Sequence, residues 1–213
     1  MNHRLILRPG LFAFYGHNIV AEEHSHQAVQ LVLPDNNGPR AQIIPSQQTH
    51  KLSLGSGWVV LIEPRCDLAT ALCGEDPQRR EATVIRISEL LRESQSWQPE
   101  QATDVRIQRL LTLLDGCLAD NCLTPDHWRA ADVAKQLALS ESRFLHLFRE
   151  QMGVAWRPYL LWRRLLCAVR RMSQGCPATE AAHQAGFSDS AHLSRTFRST
   201  FGMTIRQATT LLL

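Results

Sequence analysis

No stretch of this 213-residue chain approaches the roughly 20 consecutive apolar residues that a membrane-crossing helix needs. Its longest apolar runs, such as Trp58 to Ile62 and Tyr159 to Leu161, are far shorter, and no hydrophobic signal segment follows Met1. A cytoplasmic protein is the expectation. An excess of charge of one sign is missing too: 23 Lys and Arg stand against 20 Asp and Glu, for a net charge of +3. With 44% hydrophobic residues and charges of both signs interspersed, the composition excludes a disordered, highly charged tail and fits a globular protein. Six cysteines (Cys66, Cys73, Cys117, Cys122, Cys167 and Cys176) include no C-x-x-C pair, which excludes a zinc finger or a thioredoxin-type motif. Without a secretory signal the thiols are expected reduced, with Cys66 and Cys73 as the pair considered for a redox role.

Charge is distributed unevenly. Residues 1–103 carry 9 Lys and Arg against 11 Asp and Glu, whereas residues 104–213 carry 14 against 9. A basic C-terminal half joined to a slightly acidic N-terminal half suggests a polyanion-binding module attached to something else.

Hydrophobic patterning divides the chain at nearly the same place. Leu11 to Tyr15 before Gly16, Val29 to Leu33 before Pro34-Asp35-Asn36-Asn37-Gly38, Gln42 to Ile44 before Pro45, and Trp58 to Ile62 before Pro64 read as short strands closed by turn residues. From Glu81 the period becomes helical, with Val84, Ile87, Leu90 and Leu91 on one face, and a polar linker follows at Ser94 to Pro99. Helices are then expected at about 104–119, 129–137, 141–151, 156–173, 178–185, 190–200 and 205–212. The fold class is therefore α+β. Residues 1–80 form a small antiparallel β module for sensing or dimerisation, 81–103 a connecting helix and linker, and 104–213 an all-α domain.

The helical half repeats itself. Phe148-Arg149-Glu150-Gln151-Met152-Gly153 and Phe197-Arg198-Ser199-Thr200-Phe201-Gly202 share F-R-x-x-x-G at a separation of 49 residues. Each follows a short helix with alanine at a packing position, Ala134 or Ala182, and a tight junction, Ala138-Leu139 or Gly186-Phe187. Helix, short turn, helix is thus written twice, at about 129–151 and 178–200. The second helix of such a unit can enter the major groove of B-DNA. Helical spacing sends Phe144, Leu147 and Phe148 to the core and leaves Ser142, Leu145, His146 and Arg149 outward; Leu193, Thr196 and Phe197 do the same for Ser190, Ala191, Ser194, Arg195 and Arg198. Ser140 is the expected cap of the first outward helix, and Asp189 or Ser188 that of the second. Arginine can read guanine bidentately, and short polar side chains allow close approach to base edges. Ordinary solvated helix faces are the competing explanation. Two matched units joined by a helix bearing Arg163, Arg164, Arg170 and Arg171 weigh against it.

These residues carry a resemblance. Asp132-Val133-Ala134, Leu139 to Phe144, Phe148-Arg149 to Gly153, Tyr159-Leu160, Arg163, and above all Ala185 to Phe197 resemble the AraC/XylS transcription regulators over roughly 104–210. The resemblance implies that both outward helices dock in successive major-groove segments, a spacing of ~34 Å matching one helical turn. It implies as base readers Ser142, Leu145 and His146 in the first unit and Ser190, Ala191, Ser194 and Arg195 in the second. His192, beside Leu193, reads as structural. Double-stranded promoter DNA is the implied partner, with RNA polymerase added for an activator and a homodimer possible.

In the β half, His24-Ser25-His26 and the later His50 resemble the two short motifs of cupin barrels, where such histidines converge on a metal. The carboxylate usual after H-x-H is replaced, with Gln30 nearest its position, and the segment between Leu33 and Ile43 is too short for a full barrel. Three imidazoles on adjacent strands suit Zn, Fe, Ni or Cu, and a small-molecule pocket lined by His24, His26, His50 and Trp58 is the other reading. Pro64 to Ala69 is expected to lead out of the β module in a structural role. The function expected is a sequence-specific, effector-controlled DNA-binding regulator without catalytic residues. A metal-dependent cupin enzyme with a helical appendage is the alternative.

Overall fold

The computed structural model describes residues 5–35, 40–64, 66–93, 104–116 and 128–212. The Ser94 to Pro99 linker, Cys117, Cys122 and the expected helical residues 117–119 lie outside them. Two compact units form, one from residues 1–100 with 199–213, the other from residues 101–198.

The first unit holds the strands β1 (Leu5–Arg8), β2 (Leu11–His24), β3 (Val29–Pro34), β4 (Gln42–Ile44) and β5 (His50–Ile62) in one antiparallel sheet of order β1-β2-β5-β3-β4. Gly16 does not end the second strand as its local sequence suggests. It pairs with Gly57, and the ladder with β5 runs from Leu11↔Ile62 to His24↔His50, so cross-strand hydrogen bonding overrides a residue that alone favours a turn. Successive side chains alternate between the faces. Leu11, Ala13, Leu31, Val60 and Ile62 pack under α1 (Asp67–Cys73) and α2 (Pro77–Glu93), which add Leu68, Leu72, Ile87 and Leu91 to the same core. The opposite face presents Phe12, Phe14, Val59 and Leu61, all buried, and the C-terminal helix α9 (Ile205–Leu212) lies against β2.

The second unit contains α3 (Val105–Asp115), α4 (Ala130–Gln136), α5 (Glu141–Met152), α6 (Trp156–Ser173), α7 (Ala178–Gln184) and most of α8 (Ser190–Phe201). Its first core gathers Ile107, Leu110 and Leu114 of α3 with Phe144, Phe148, Trp156 and Tyr159. Trp156 is the hinge of that packing, with ring centroids 5.3 Å from Phe144 and 5.0 Å from Phe148, and its Nε1–H donates to the Trp128 carbonyl oxygen. Arg163 departs from the basic-surface reading of α6. It is 4% exposed and forms an ion pair with Asp115 at the end of α3, with its guanidinium also 3.4 Å from the Tyr159 hydroxyl. A guanidinium can lie in a core only with such partners, so this arginine fastens α6 to α3.

The two helix-turn-helix junctions repeat atom for atom at their start. Leu139 N–H donates back to Ala134 C=O at 2.8 Å, and Phe187 N–H to Ala182 C=O at 2.9 Å. Each bond requires a left-handed residue before it: Ala138, φ 55°, in the first unit and Gly186, φ 80°, in the second. The caps then differ in register. Ser140 Oγ accepts from Arg143 N–H, and Asp189 Oδ1 accepts from His192 N–H, so the second turn contains one extra residue, Ser188. Alanine in the left-handed region costs about 1–2 kcal/mol that glycine does not pay. Because glycine also gains entropy in the unfolded chain, Ala138→Gly should stabilise the second unit by a net of about 0.5–1 kcal/mol, read as a higher urea midpoint with an unchanged slope.

Candidate functional site

Helix α5 buries Phe144, Leu147 and Phe148, which turns Ser142, Leu145, His146 and Arg149 to solvent. Leu145, 37% exposed, is the apolar member of that outward stripe. Helix α8 buries Leu193 and Phe197 and exposes Ala191, Ser194, Arg195 and Arg198, with Ser190 half-buried. His192 is occupied locally: its Nδ1 lies 3.2 Å from Ser188 Oγ and its ring packs edge-on against Phe187. The Asp189 carboxyl is held below the usual range by the N–H of His192 and the Ser188 hydroxyl, so the cap is ionised and adds negative charge where the helix dipole favours it. The glycines of the repeated F-R-x-x-x-G also have a structural reason. Gly153 and Gly202 both take left-handed φ, 70° and 66°, where the chain leaves α5 and α8.

The other constellation lies in the sheet unit. The β2–β5 ladder sets His24 opposite His50 after an irregularity between Ala21 and His24, and His26 follows two residues later. One ligand nitrogen of each of His24, His26 and His50 lies within 4.8 Å of the others, so the three could hold a metal ion. Each ring is anchored by its other nitrogen: Nδ1–H donates to the carbonyl oxygen of Glu22 for His24 (2.7 Å), of Ala28 for His26 (3.0 Å) and of Gln48 for His50 (2.8 Å). A carbonyl only accepts, so each Nδ1 carries a proton, and a ring in its neutral form then presents Nε2 as a bare acceptor. Burial favours that neutral form, pushing the His26 imidazole down to about 4 and the His24 imidazole below its ordinary value.

Gln30 closes the cluster. Its Oε1 faces His26 Nε2 at 3.1 Å and His50 Nε2 at 3.4 Å, and its buried Nε2 has no partner among the described residues. An oxygen aimed at two bare nitrogens is not a hydrogen bond. Turning the carboxamide over would give both imidazoles a donor; a cation among the four atoms would reconcile them without any turn. The convergence of three imidazole nitrogens with the Gln30 Oε1 is therefore the observation in this site that fits a metal. In the sequence Gln30 is only the stand-in for a missing carboxylate, and no local pattern supplies the three carbonyl anchors.

Trp58 does not join the histidines. It pairs with Tyr15, ring centroids 5.6 Å apart, and packs against the core under α1 and α2. Nine strand positions of β2 separate Tyr15 from His24, roughly 25–30 Å at about 3.3 Å per residue. A single pocket of His24, His26, His50 and Trp58 is thus ruled out by register. Cys66 and Cys73 do not form an intrachain redox pair either. They bracket α1, whose rise of about 1.5 Å per residue separates them by roughly 10 Å, beyond the ~7 Å reach of a disulfide. Burial pushes the Cys66 thiol up to about 12, and its sulfur caps α1 by accepting from Ala69 N–H.

Residues 133–210 match the sequence family described as "Helix-turn-helix domain". That segment is a helix-turn-helix domain. The chain is 32% identical over 107 residues to the "Arabinose operon regulatory protein" of Salmonella typhimurium, covering 46% of this chain and 34% of that protein. It is 31% identical over 128 residues to the "HTH-type transcriptional activator RhaS" of Escherichia coli, covering 60% of this chain and 44% of that protein. The chain therefore spans less than half the length of these relatives. Among solved structures it is similar to ToxT from Vibrio cholerae O395, at 15% identity and a TM-score of 0.48, covering 95% of this chain and 97% of that one. Among the described residues no helix is long and apolar enough to cross a membrane.

Because His26 titrates near 4 when folded and near 6.5 when unfolded, its contribution to stability is complete above pH 6.5 and is lost as the pH falls toward 4. Metal-free protein should lose roughly 3 kcal/mol over that window from this residue. Urea unfolding at pH 7 and pH 4.5 checks it, with His26→Gln expected to flatten the difference.

Proposed function

We propose that this chain is a sequence-specific DNA-binding transcription regulator whose β half receives a small effector. The observation carrying the reading is the doubled helix-turn-helix, each unit burying an aromatic or aliphatic stripe of its second helix and exposing a short, polar one. Arg195 would read base edges in the second unit with Ser190, Ala191 and Ser194 beside it. Ser142, Leu145 and His146 would occupy the groove in the first, Leu145 meeting a thymine methyl. Arg149 and Arg198, one helical turn further along, are suited to phosphates, which position the protein without specifying sequence. The Arg163–Asp115 pair and the α6 core would hold the two reading helices at fixed separation on successive groove segments. An activating role would add RNA polymerase as a partner, and a homodimer would place four such helices on an operator. As functional domains, residues 1–80 would be the sensor, 81–103 the connection and 104–213 the DNA-binding half, although residues 199–213 fold with the sheet unit.

His24, His26 and His50 with Gln30 are the proposed effector site, and a divalent cation is the proposed effector. The same cluster alone would suit a metal-dependent enzyme; the names of the relatives, an operon regulatory protein and a transcriptional activator, favour regulation.

Genome-wide recovery of bound fragments would supply the operator, and binding to it should weaken steeply with salt. On that operator Arg195→Ala should lose about 1–3 kcal/mol of discrimination against a mismatched site, measured by fluorescence anisotropy on matched and mismatched duplexes. Unchanged discrimination would remove Arg195 from the reading face, and no salt-dependent DNA binding at all would overturn the regulator reading.

A further inference from the structure

The residues after α8 meet the sheet at the very residue that anchors His24. Residues 199–213 fold into the same compact unit as residues 1–100. Glu22 N–H donates to the Gly202 carbonyl oxygen at 2.7 Å, and the Glu22 carbonyl oxygen accepts from His24 Nδ1–H at 2.7 Å. One residue of β2 is thereby bonded through its N–H to the C-terminal segment and through its carbonyl to a ring of the histidine cluster. The fit is close. Gly202 is buried with φ +66°, and a Cβ there would run into both the Glu22 carbonyl oxygen and His24 Nδ1, so the Gly202 backbone lies directly against the His24 imidazole. On either side the segment is fastened by apolar contacts: the Phe201 ring stands edge-on to Phe12 at 6.1 Å, Met203 is buried, and Leu211 of α9 reaches over Gly16. Phe201 is also the last residue of α8, whose earlier turns carry Ser190, Ser194 and Arg195.

The donors that converge on the cluster are three neutral imidazole nitrogens and one neutral carboxamide oxygen. A nitrogen-rich, uncharged set favours zinc, nickel or copper over magnesium or calcium. Ligands whose second nitrogen is already tied to a carbonyl are held in the tautomer and orientation that a metal requires. Fixing the His24 ring by Nε2 would also fix the wall against which Gly202 is seated and the Glu22 carbonyl to which its Nδ1 donates.

We propose that a late first-row divalent cation, held by Nε2 of His24, His26 and His50 and by Oε1 of Gln30, locks residues 199–213 onto β2, so that occupancy of the cluster is felt at the end of α8. The proposal rests on the reading of the histidine cluster as the effector site and adds the fourth ligand and the element that responds. Binding linkage makes the coupling reciprocal: whatever factor the cation contributes to docking of the segment, docking contributes to cation affinity.

Zinc alone is the probe, titrated into full-length protein freed of metal by a chelator and dialysed. Affinity is read by competition with a chromophoric chelator, and docking by amide hydrogen exchange of Glu22 and residues 201–211. Zinc should slow exchange of these amides about tenfold or more, and Gln30→Leu should weaken zinc about 10-fold to 100-fold. Gly202→Ala, which unseats the segment and keeps the four ligand residues although its Cβ presses on the His24 ring, should bind zinc more weakly by at least the factor seen in exchange and show no zinc-dependent protection. Phe201→Ala, which removes the ring that stands edge-on to Phe12, serves the same purpose should Gly202→Ala not fold. Zinc binding with no change in exchange overturns the coupling and leaves the effector site standing. No zinc binding above the triple variant His24→Ala, His26→Ala, His50→Ala overturns the metal reading and the proposal with it. Zinc affinity unchanged by Gln30→Leu overturns the fourth ligand.

Discussion

Burial of the aromatic stripe of α5 against Trp156 is the constraint on which the helical unit depends. Phe144 and Phe148 are fully buried, and Trp156 stands edge-on to both while tying α6 to the segment at Trp128. Edge-to-face rings of this kind add about 0.5–1.5 kcal/mol per pair beyond their area, but their larger consequence is orientational. A helix has a single azimuth once two of its aromatic residues are committed to a core, so Ser142, His146 and Arg149 are turned outward by the packing of their neighbours. Leu193 and Phe197 impose the same condition on α8. Any DNA-reading surface here is the complement of a hydrophobic one.

The sheet unit works by register in place of azimuth. Pairing of β2 with β5 carries His24 to His50 and, by the same ladder, carries Trp58 to Tyr15 at a distance. The cluster is then completed by groups with no side-chain signature: three backbone carbonyls that select the tautomer of each imidazole, and a glutamine whose amide nitrogen is left without a partner. Such a site is costly unless something meets the converging acceptors, a need that a cation fills for all four atoms and a turned carboxamide for two imidazoles.

Much of the helical half was legible in the sequence because its determinants act over three or four residues. Helix faces followed from Phe144, Leu147 and Phe148, the first cap from Ser140, and the repeated turn from Ala138-Leu139 and Gly186-Phe187. The choice between Ser188 and Asp189 as the second cap waited on the extra residue in that turn. Less of the sheet half was legible. The strand through Gly16 reads locally as ending there, since only the partner strand supplies the bonds that carry it on to His24.

Local spacing by itself determined the α+β division, the two helix-turn-helix units and which side chains of α5 and α8 could face outward, because each depends on backbone periodicity and on bonds within one turn. Tertiary structure alone decided that Arg163 is spent on Asp115, that Trp58 is far from the histidines, that Gln30 faces two imidazoles and that Gly202 is seated on His24. Each of these joins residues distant in the chain, and their meeting depends on strand register and helix packing, which no local pattern encodes.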